Sequence, residues 1–247
     1  MFLRWHTDRY LDVHGAQSEE LDARIAAFLA WHRSNALPQY SRLAAEAGTK
    51  FARGLSQEDL VWGYDSVQAQ VLEAVRAAAG EIAELLDRMT PEQIEHLERR
   101  FEEDNRKFAK EHLSGTVEER RVRRLKRNLE RVEEWFGGLS DVQVERVRQY
   151  SARAPFTDRF RDRERRRLQA EFVEMLRARE ARSRFADWAV RWESRRDPVH
   201  AAAARVQLAE YFSMLLDLDR TLTPGQRQAA EVRLRELAAE FEQLARK

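Results

Sequence analysis

The sequence predicts an all-α protein, an elongated multi-helix array or bundle of about eight to nine helices. Three observations predict it. Five times a short polar residue is followed three positions on by Gln or an acid: Leu55-Ser56-Gln57-Glu58-Asp59, Met89-Thr90-Pro91-Glu92-Gln93, Gly115-Thr116-Val117-Glu118-Glu119, Leu139-Ser140-Asp141-Val142-Gln143 and Leu222-Thr223-Pro224-Gly225-Gln226. An apolar residue leads every copy except the one at Thr116. In each, the hydroxyl can accept from the N3 amide while the N3 side chain reaches back to the cap N–H, and Pro91 and Pro224 fall at N1, where no donor is lost. Gly and Pro are scarce, at 9 and 5 residues. Finally, 43% hydrophobic with 35% charged residues is a helix-rich, water-compatible balance for 247 residues.

The elements follow in order. An amphipathic segment from Leu3 to Val13 carries Trp5, Tyr10 and Leu11. A helix from about Gln17 to Arg33 places Leu21, Ile25, Phe28 and Leu29 on one face. It continues after a bend near Pro38 to Ala47, with Trp31, His32, Arg33 and Tyr40 packed as a corner around the proline. Gly48 and Gly54 bracket its end. Helices then run from Gln57 to Arg88, Pro91 to His112, Val117 to Phe136 and Asp141 to Ala152, stopped by Gly137-Gly138 and the Arg153-Ala154-Pro155 corner. A long helix capped by Thr157 is expected to reach about Arg195. Pro198 opens another to Leu218, and Pro224 opens the last. The caps divide the chain into an N-terminal helical region, 1–152, and a C-terminal one, 153–247, with one continuous domain as the alternative. Their spacing is irregular, which excludes a solenoid of fixed repeat.

The helix over 199–218 is apolar all round: Val206, Leu208, Tyr211, Phe212, Met214, Leu215 and Leu216 circle the axis, and only Arg205 and Glu210 are charged between Val199 and Leu216. Such a helix is covered by its own protein or by a partner. A central core helix is expected, with a homodimer interface as the alternative.

Basic residues number 44 and acidic ones 43, so a net charge of +1 gives no general pull toward nucleic acid or anionic lipid. Only Lys50, Lys107, Lys110, Lys126 and Lys247 are lysines, an arginine bias ascribed to genome composition. The absence of cysteine excludes disulfides, thiolate metal sites and a Cys nucleophile. No apolar run approaches the roughly 18 residues of a membrane span, and no signal peptide precedes Phe2. A soluble chain is expected.

The residues Trp5, Asp8, Tyr10, Asp12 and Gln17, the runs Trp31-His32-Arg33 and Leu37-Pro38-Gln39-Tyr40, and the block from Met89 to Phe101 resemble a family of uncharacterised proteobacterial lipoproteins. So does the segment from Val117 through Arg121, Arg124, Leu125, Lys126, Arg127 and Glu130-Arg131 to Gln143. The resemblance covers most of the chain and implies an envelope protein, facing the periplasm and anchored in the outer membrane through a lipid-modified Cys of its precursor. Leu222 to Gln226, and more weakly Met89 to Gln93, are similar to the motif of the LTxxQ periplasmic proteins, which include the spheroplast protein Y chaperone. That similarity implies a small helical binding protein with a concave, partly basic surface.

Charge placement supplies the candidate contact residues. At about 100° per residue, Arg120, Arg124, Arg127 and Arg131 form one narrow stripe, more than about 90° from Leu125, Leu129 and Val132. Arg159, Arg163 and Arg166 repeat the arrangement. Like charges at i and i+4 cost a few tenths of a kcal/mol, so helix stability does not explain the stripes. They read either as a basic surface for anionic head groups, an acidic peptide or another polyanion, or as faces neutralised by acids such as Glu102, Glu103 and Asp104.

Catalysis is the weaker alternative. Glu92, Glu95, His96, Glu102, Glu103, Glu111 and His112 share one helix, but a di-iron carboxylate bundle needs an E-x-x-H pair on each of two helices, and none is present. Phosphate loops, H-E-x-x-H and G-x-S-x-G are absent too. No catalytic, metal or cofactor residue is assigned. Nucleic-acid binding is a further alternative, disfavoured by the near-zero charge and the core spacing of the aromatics. The expectation is therefore a non-catalytic, accessory or chaperone-like envelope protein whose seven stripe arginines meet a protein or an anionic envelope component, with Ser56, Thr90, Thr116, Ser140, Thr157 and Thr223 as structural caps.

Overall fold

A computed structural model describes residues 2–192 and 194–247. The fold is all-α, with these helices in chain order: α1 (Phe2–Leu11), α2 (Ala16–Trp31), α3 (Leu37–Ala52), α4 (Gln57–Leu86), α5 (Pro91–Phe108), α6 (Val117–Phe136), α7 (Asp141–Arg153), α8 (Asp158–Ala178), α9 (Ala181–Val190), α10 (Pro198–Asp219) and α11 (Pro224–Ala245). Among the described residues this exceeds the eight to nine expected, and the extra elements have identifiable causes.

Just before Pro38, where a bend is expected, a π-helical turn, His32–Ala36, lies between α2 and α3. Proline removes one i→i−4 bond and crowds the carbonyl it would have met; widening the preceding turn absorbs that defect. Ser34 Oγ and Asn35 Nδ2 donate to the carbonyls of Ala30 and Trp31 at 2.8 and 3.0 Å. Trp31 and His32 pack against Phe28, and Tyr40 packs edge-on against Phe241. The long helix expected from Thr157 to Arg195 is also divided. It stops at Arg179, which adopts φ +57°, and restarts at Ala181 as α9.

The chain forms two compact units, each assembled from three segments. Unit 1 comprises Met1–Ala36, Val71–Leu113 and Asp158–Asp197; unit 2 comprises Leu37–Gln70, Ser114–Thr157 and Pro198–Lys247. Neither coincides with 1–152 or 153–247, because a capping box marks where a helix begins and says nothing about which turn it meets.

In unit 1, Leu21, Leu85, Leu97, Met175 and Leu176 form the centre of the core, with Val13 and Met89, the residues just before two helix starts, packed among them. Burying a side chain of this size stabilises by about 1.5–3 kcal/mol. In unit 2, Val132, Val147, Tyr150, Met214 and Leu218 form the core and Leu139 packs against it. The most extensive helix–helix packing there is between α3 and α11. α10 is not a central helix. It buries Phe212, Met214 and Leu218 but leaves Val206 54% exposed, with Ala202, Ala209 and Ser213 open beside it.

The five sequence boxes all close. Thr90, Thr116, Ser140 and Thr223 accept from their N3 amides while Gln93, Glu119, Gln143 and Gln226 return the bond. At Ser56 the reciprocal pair is Asp59 N to Ser56 Oγ, 3.2 Å, and Ser56 N to Asp59 Oδ2, 3.0 Å. Thr157 precedes α8 as expected, but its hydroxyl donates to Gln207 Oε1 at 3.0 Å. Glycine is required at Gly115, where φ is +83° and a Cβ would lie 2.5 Å from the Glu119 carboxylate that closes the box.

In unit 2 two boxes interlock. Gln143 Nε2 donates to Gln226 Oε1 (2.9 Å) and to the Thr221 carbonyl (3.0 Å); Gln226 Nε2 donates to Gln143 Oε1 (3.0 Å) and to the Gly138 carbonyl (2.8 Å). Each Oε1 also accepts its own cap N–H, from Ser140 and Thr223. Both amides thus use two donors and two acceptor sites, the full capacity of the group. The same bonding recurs in unit 1 between Gln93 and Gln17. Gln93 Nε2 donates to Gln17 Oε1 and the Asp12 carbonyl (2.7 and 2.9 Å), and Gln17 Nε2 donates to the Arg88 carbonyl (3.2 Å). An aspartate fixes a third turn in each unit. Asp87 accepts Ala181 N and Arg182 N at 2.6 and 3.2 Å; Asp219 accepts Leu55 N at 3.1 Å and Arg227 at 2.9 Å.

Candidate functional site

The seven stripe arginines separate by environment. On α6, Arg120 is buried, at 9% exposure, with its guanidinium 4.4 Å from the centre of the Phe156 ring. Arg124 lies 3.7 Å from the same ring and donates to the carbonyls of Ser151 (3.3 Å), Ala154 and Pro155 (3.3 Å). These are the last carbonyls of α7 and the corner after it, groups that a helix end leaves without intrahelical donors. Asn128 adds a bond to Ser151 Oγ at 2.9 Å. Arg120 and Arg124 therefore hold the 153–157 corner against α6. The expected open stripe is corrected over this first half because the corner folds onto it.

Arg127 and Arg131, one and two turns further on, are exposed. Among the described residues neither has a carboxylate within ion-pair distance, whereas neighbouring Arg121 and Lys126 face Glu118 (3.5 Å) and Glu130 (3.9 Å). The rings of Tyr150 and Tyr211 are 5.7 Å apart. Burial holds both phenols above their ordinary value, and the Arg131 charge acts in the opposite direction.

In unit 1, Arg166 is bound by Asp162 (3.2 Å) and Glu102 (3.1 Å), which neutralise it. Arg163 is exposed, 5.0 Å from the Phe160 ring centre, and Arg159 is exposed. Neither has an acidic partner within ion-pair distance among the described residues. Arg161 and Arg165 lie over the Phe108 ring at 5.5 and 4.1 Å. Much of the arginine bias thus has a use inside the fold, since a planar, weakly hydrated guanidinium stacks where a lysine ammonium would not.

The carboxylates and imidazoles of α5 do not converge. His96 Nε2 bonds the Arg9 carbonyl at 2.9 Å, Glu95 faces Arg99, Glu102 faces Arg166 and Glu103 faces Arg100. Glu111 and His112 lie on a second π-turn, Ala109–Leu113, with His112 against Phe108. Among the described residues no three His, Asp or Glu side chains are grouped to hold a metal ion. None of their helices is long and apolar enough to cross a membrane.

Several ordering residues escape a reading of the sequence. Gln17 and Asp87 act across the chain, and Asp219 joins Leu55, 164 positions away, to its near neighbour Arg227. Asp59 is legible as a cap, but it also binds Arg53 (2.6 Å) and Lys50 (3.5 Å), and Lys50 lies over Trp62 at 4.6 Å. The Ser56 N–H, with its hydroxyl and these cations, holds the Asp59 carboxyl below the ordinary range.

Compared with known proteins, residues 9–194 match a family described as of unknown function, DUF6279. No curated protein and no solved structure matches the chain, and the likeness to the LTxxQ proteins gains no support.

Proposed function

The chain belongs to DUF6279, a family of unknown function, and from that premise we propose a non-catalytic, accessory or chaperone-like binding protein of the Gram-negative envelope that contacts an anionic partner. The observation that carries this reading is the exposed pair Arg127 and Arg131. They stand one turn apart with no carboxylate partner among the described residues, on a helix whose other basic residues are bonded or paired. Such a like-charged pair costs a helix a few tenths of a kcal/mol, and an external anion would offset that cost. Arg159 and Arg163 on α8 offer the same chemistry in unit 1. The resemblance to envelope lipoproteins supports the compartment and the lipid anchor.

The test is cosedimentation of the full chain with vesicles of phosphatidylcholine alone or with added phosphatidylglycerol, and titration with polyglutamate as an acidic peptide. Binding to at least one anionic probe is expected, weakening as salt rises from 50 to 300 mM and lost in the double variant Arg127→Glu, Arg131→Glu. Equal behaviour of variant and parent would reject the assignment.

A further inference from the structure

Unit 1 contains a cavity of about 240 Å³ between α1, α2, the C-terminal half of α4, and α9. Its floor is Leu21 and Ala79, exposed by 0% and 2%; Ile25, Phe28, Ile82 and Phe185 form the walls. Small side chains create the space: Ala78 and Ala79 on α4 and Ala189 on α9 face it where Leu or Phe would fill it. The hollow is open to solvent on one side, and an apolar cleft left uncovered in this way is the form that binding grooves take. A dry apolar cavity of about 150 Å³ already holds benzene.

The rim selects against charge. Arg24 is its cation, and its guanidinium is committed to Glu84 at 3.0 Å and Glu20 at 3.4 Å, with Glu81 at 3.9 Å. Thr7 donates its hydroxyl to the Leu3 carbonyl at 3.0 Å. Glu20 and Glu84 are shared with Arg88 and Arg182, so the carboxylate that faces the hollow beside Arg24 is Glu81, and the neighbouring hydroxyl proton is spent. An anionic head group would meet no free donor there and would lie beside like charge. A neutral hydroxyl end could instead donate to a rim carboxylate.

The geometry points to a binding site in unit 1 for a small uncharged amphiphile, a single aliphatic chain or aromatic ring with a neutral polar end, entering tail first. This site is separate from the arginines discussed above and does not depend on them. Isothermal titration of the full chain with 1-octanol and with octanoate at pH 7.5 tests it. Octanol is expected to bind at least tenfold more tightly than octanoate. Ala78→Phe and Ala189→Phe, which fill the space from two different helices, should each weaken octanol binding at least tenfold while leaving helical circular dichroism and Tm unchanged or higher. If only one variant folds, that one decides. Absence of octanol binding by the parent chain, equal affinity for octanoate, or undiminished binding by a folded filled variant would overturn the proposal.

Discussion

Arg124 shows how one side chain changes meaning once its surroundings are known. From the sequence it is one of four arginines on a helix face; in the fold its guanidinium caps α7 and the following corner through three carbonyls and covers Phe156. Bonds from a charged donor to otherwise unpaired carbonyls contribute more than neutral ones, on the order of 1.5–3 kcal/mol in total context. Arg124→Ala is therefore expected to cost about 2–3 kcal/mol in urea denaturation, whereas Arg127→Ala should stay within about 0.5 kcal/mol, as exposed sites usually do. Equal, small effects would show that the cap does not bear on stability. The helical angle of the stripe was legible in the sequence. Which half of it the 153–157 corner would cover was not, because that depends on a turn some 30 residues away, at Ala154.

Among the elements, the boxes share a geometry but not a chemistry. At α4 and α6 the N3 acceptor is a carboxylate, Asp59 or Glu119, held below its ordinary value chiefly by the backbone N–H of Ser56 or Thr116. At α5, α7 and α11 it is a neutral glutamine. A depressed folded value means that the stabilisation is complete above the ordinary carboxylate range and is lost as pH falls below it through the folded value. Hydrogen exchange followed from pH 6 down to pH 2.5, corrected for intrinsic rates, should thus show protection falling at the first turns of α4 and α6 before those of α7 and α11, with α5 following the first group because its Glu92 carboxyl is likewise held low by its own N–H and the Thr90 hydroxyl. Asp59→Asn should remove the difference at α4. A uniform loss at all five starts would contradict it.

Helix starts were the most legible feature of the fold, since a cap is written in five consecutive residues. Breaks without Gly or Pro were the least legible. Arg179 is turned into the left-handed region by Asp87, which takes the amides of Ala181 and Arg182 from 94 and 95 positions away. No local signal records that.

At the scale of the whole molecule, the same distance effect hides the two units. The glutamine bridges that organise them span 76 and 83 positions, and no composition change marks where the chain passes between units. The alternative reading of α10 as a dimer interface retains a structural motive: Ala202, Val206, Ala209 and Ser213 are exposed at spacings of four, three and four, a seam that a second helix can enter. If this seam pairs two copies, sedimentation equilibrium should give a concentration-dependent dimer that Val206→Glu reduces to monomer without loss of helicity. A monomer at every concentration up to 100 μM would dismiss it.

The reciprocal amide bridge also bears on how such a chain can change over generations. Gln143 and Gln226 each serve the other as donor and acceptor while closing their own caps, so no single replacement keeps all four bonds. A glutamate at either place brings an acceptor where a donor is needed; a shorter asparagine cannot reach both its cap and its counterpart. Replacing either glutamine therefore disturbs both turns, and only a paired change at 143 and 226 can restore them.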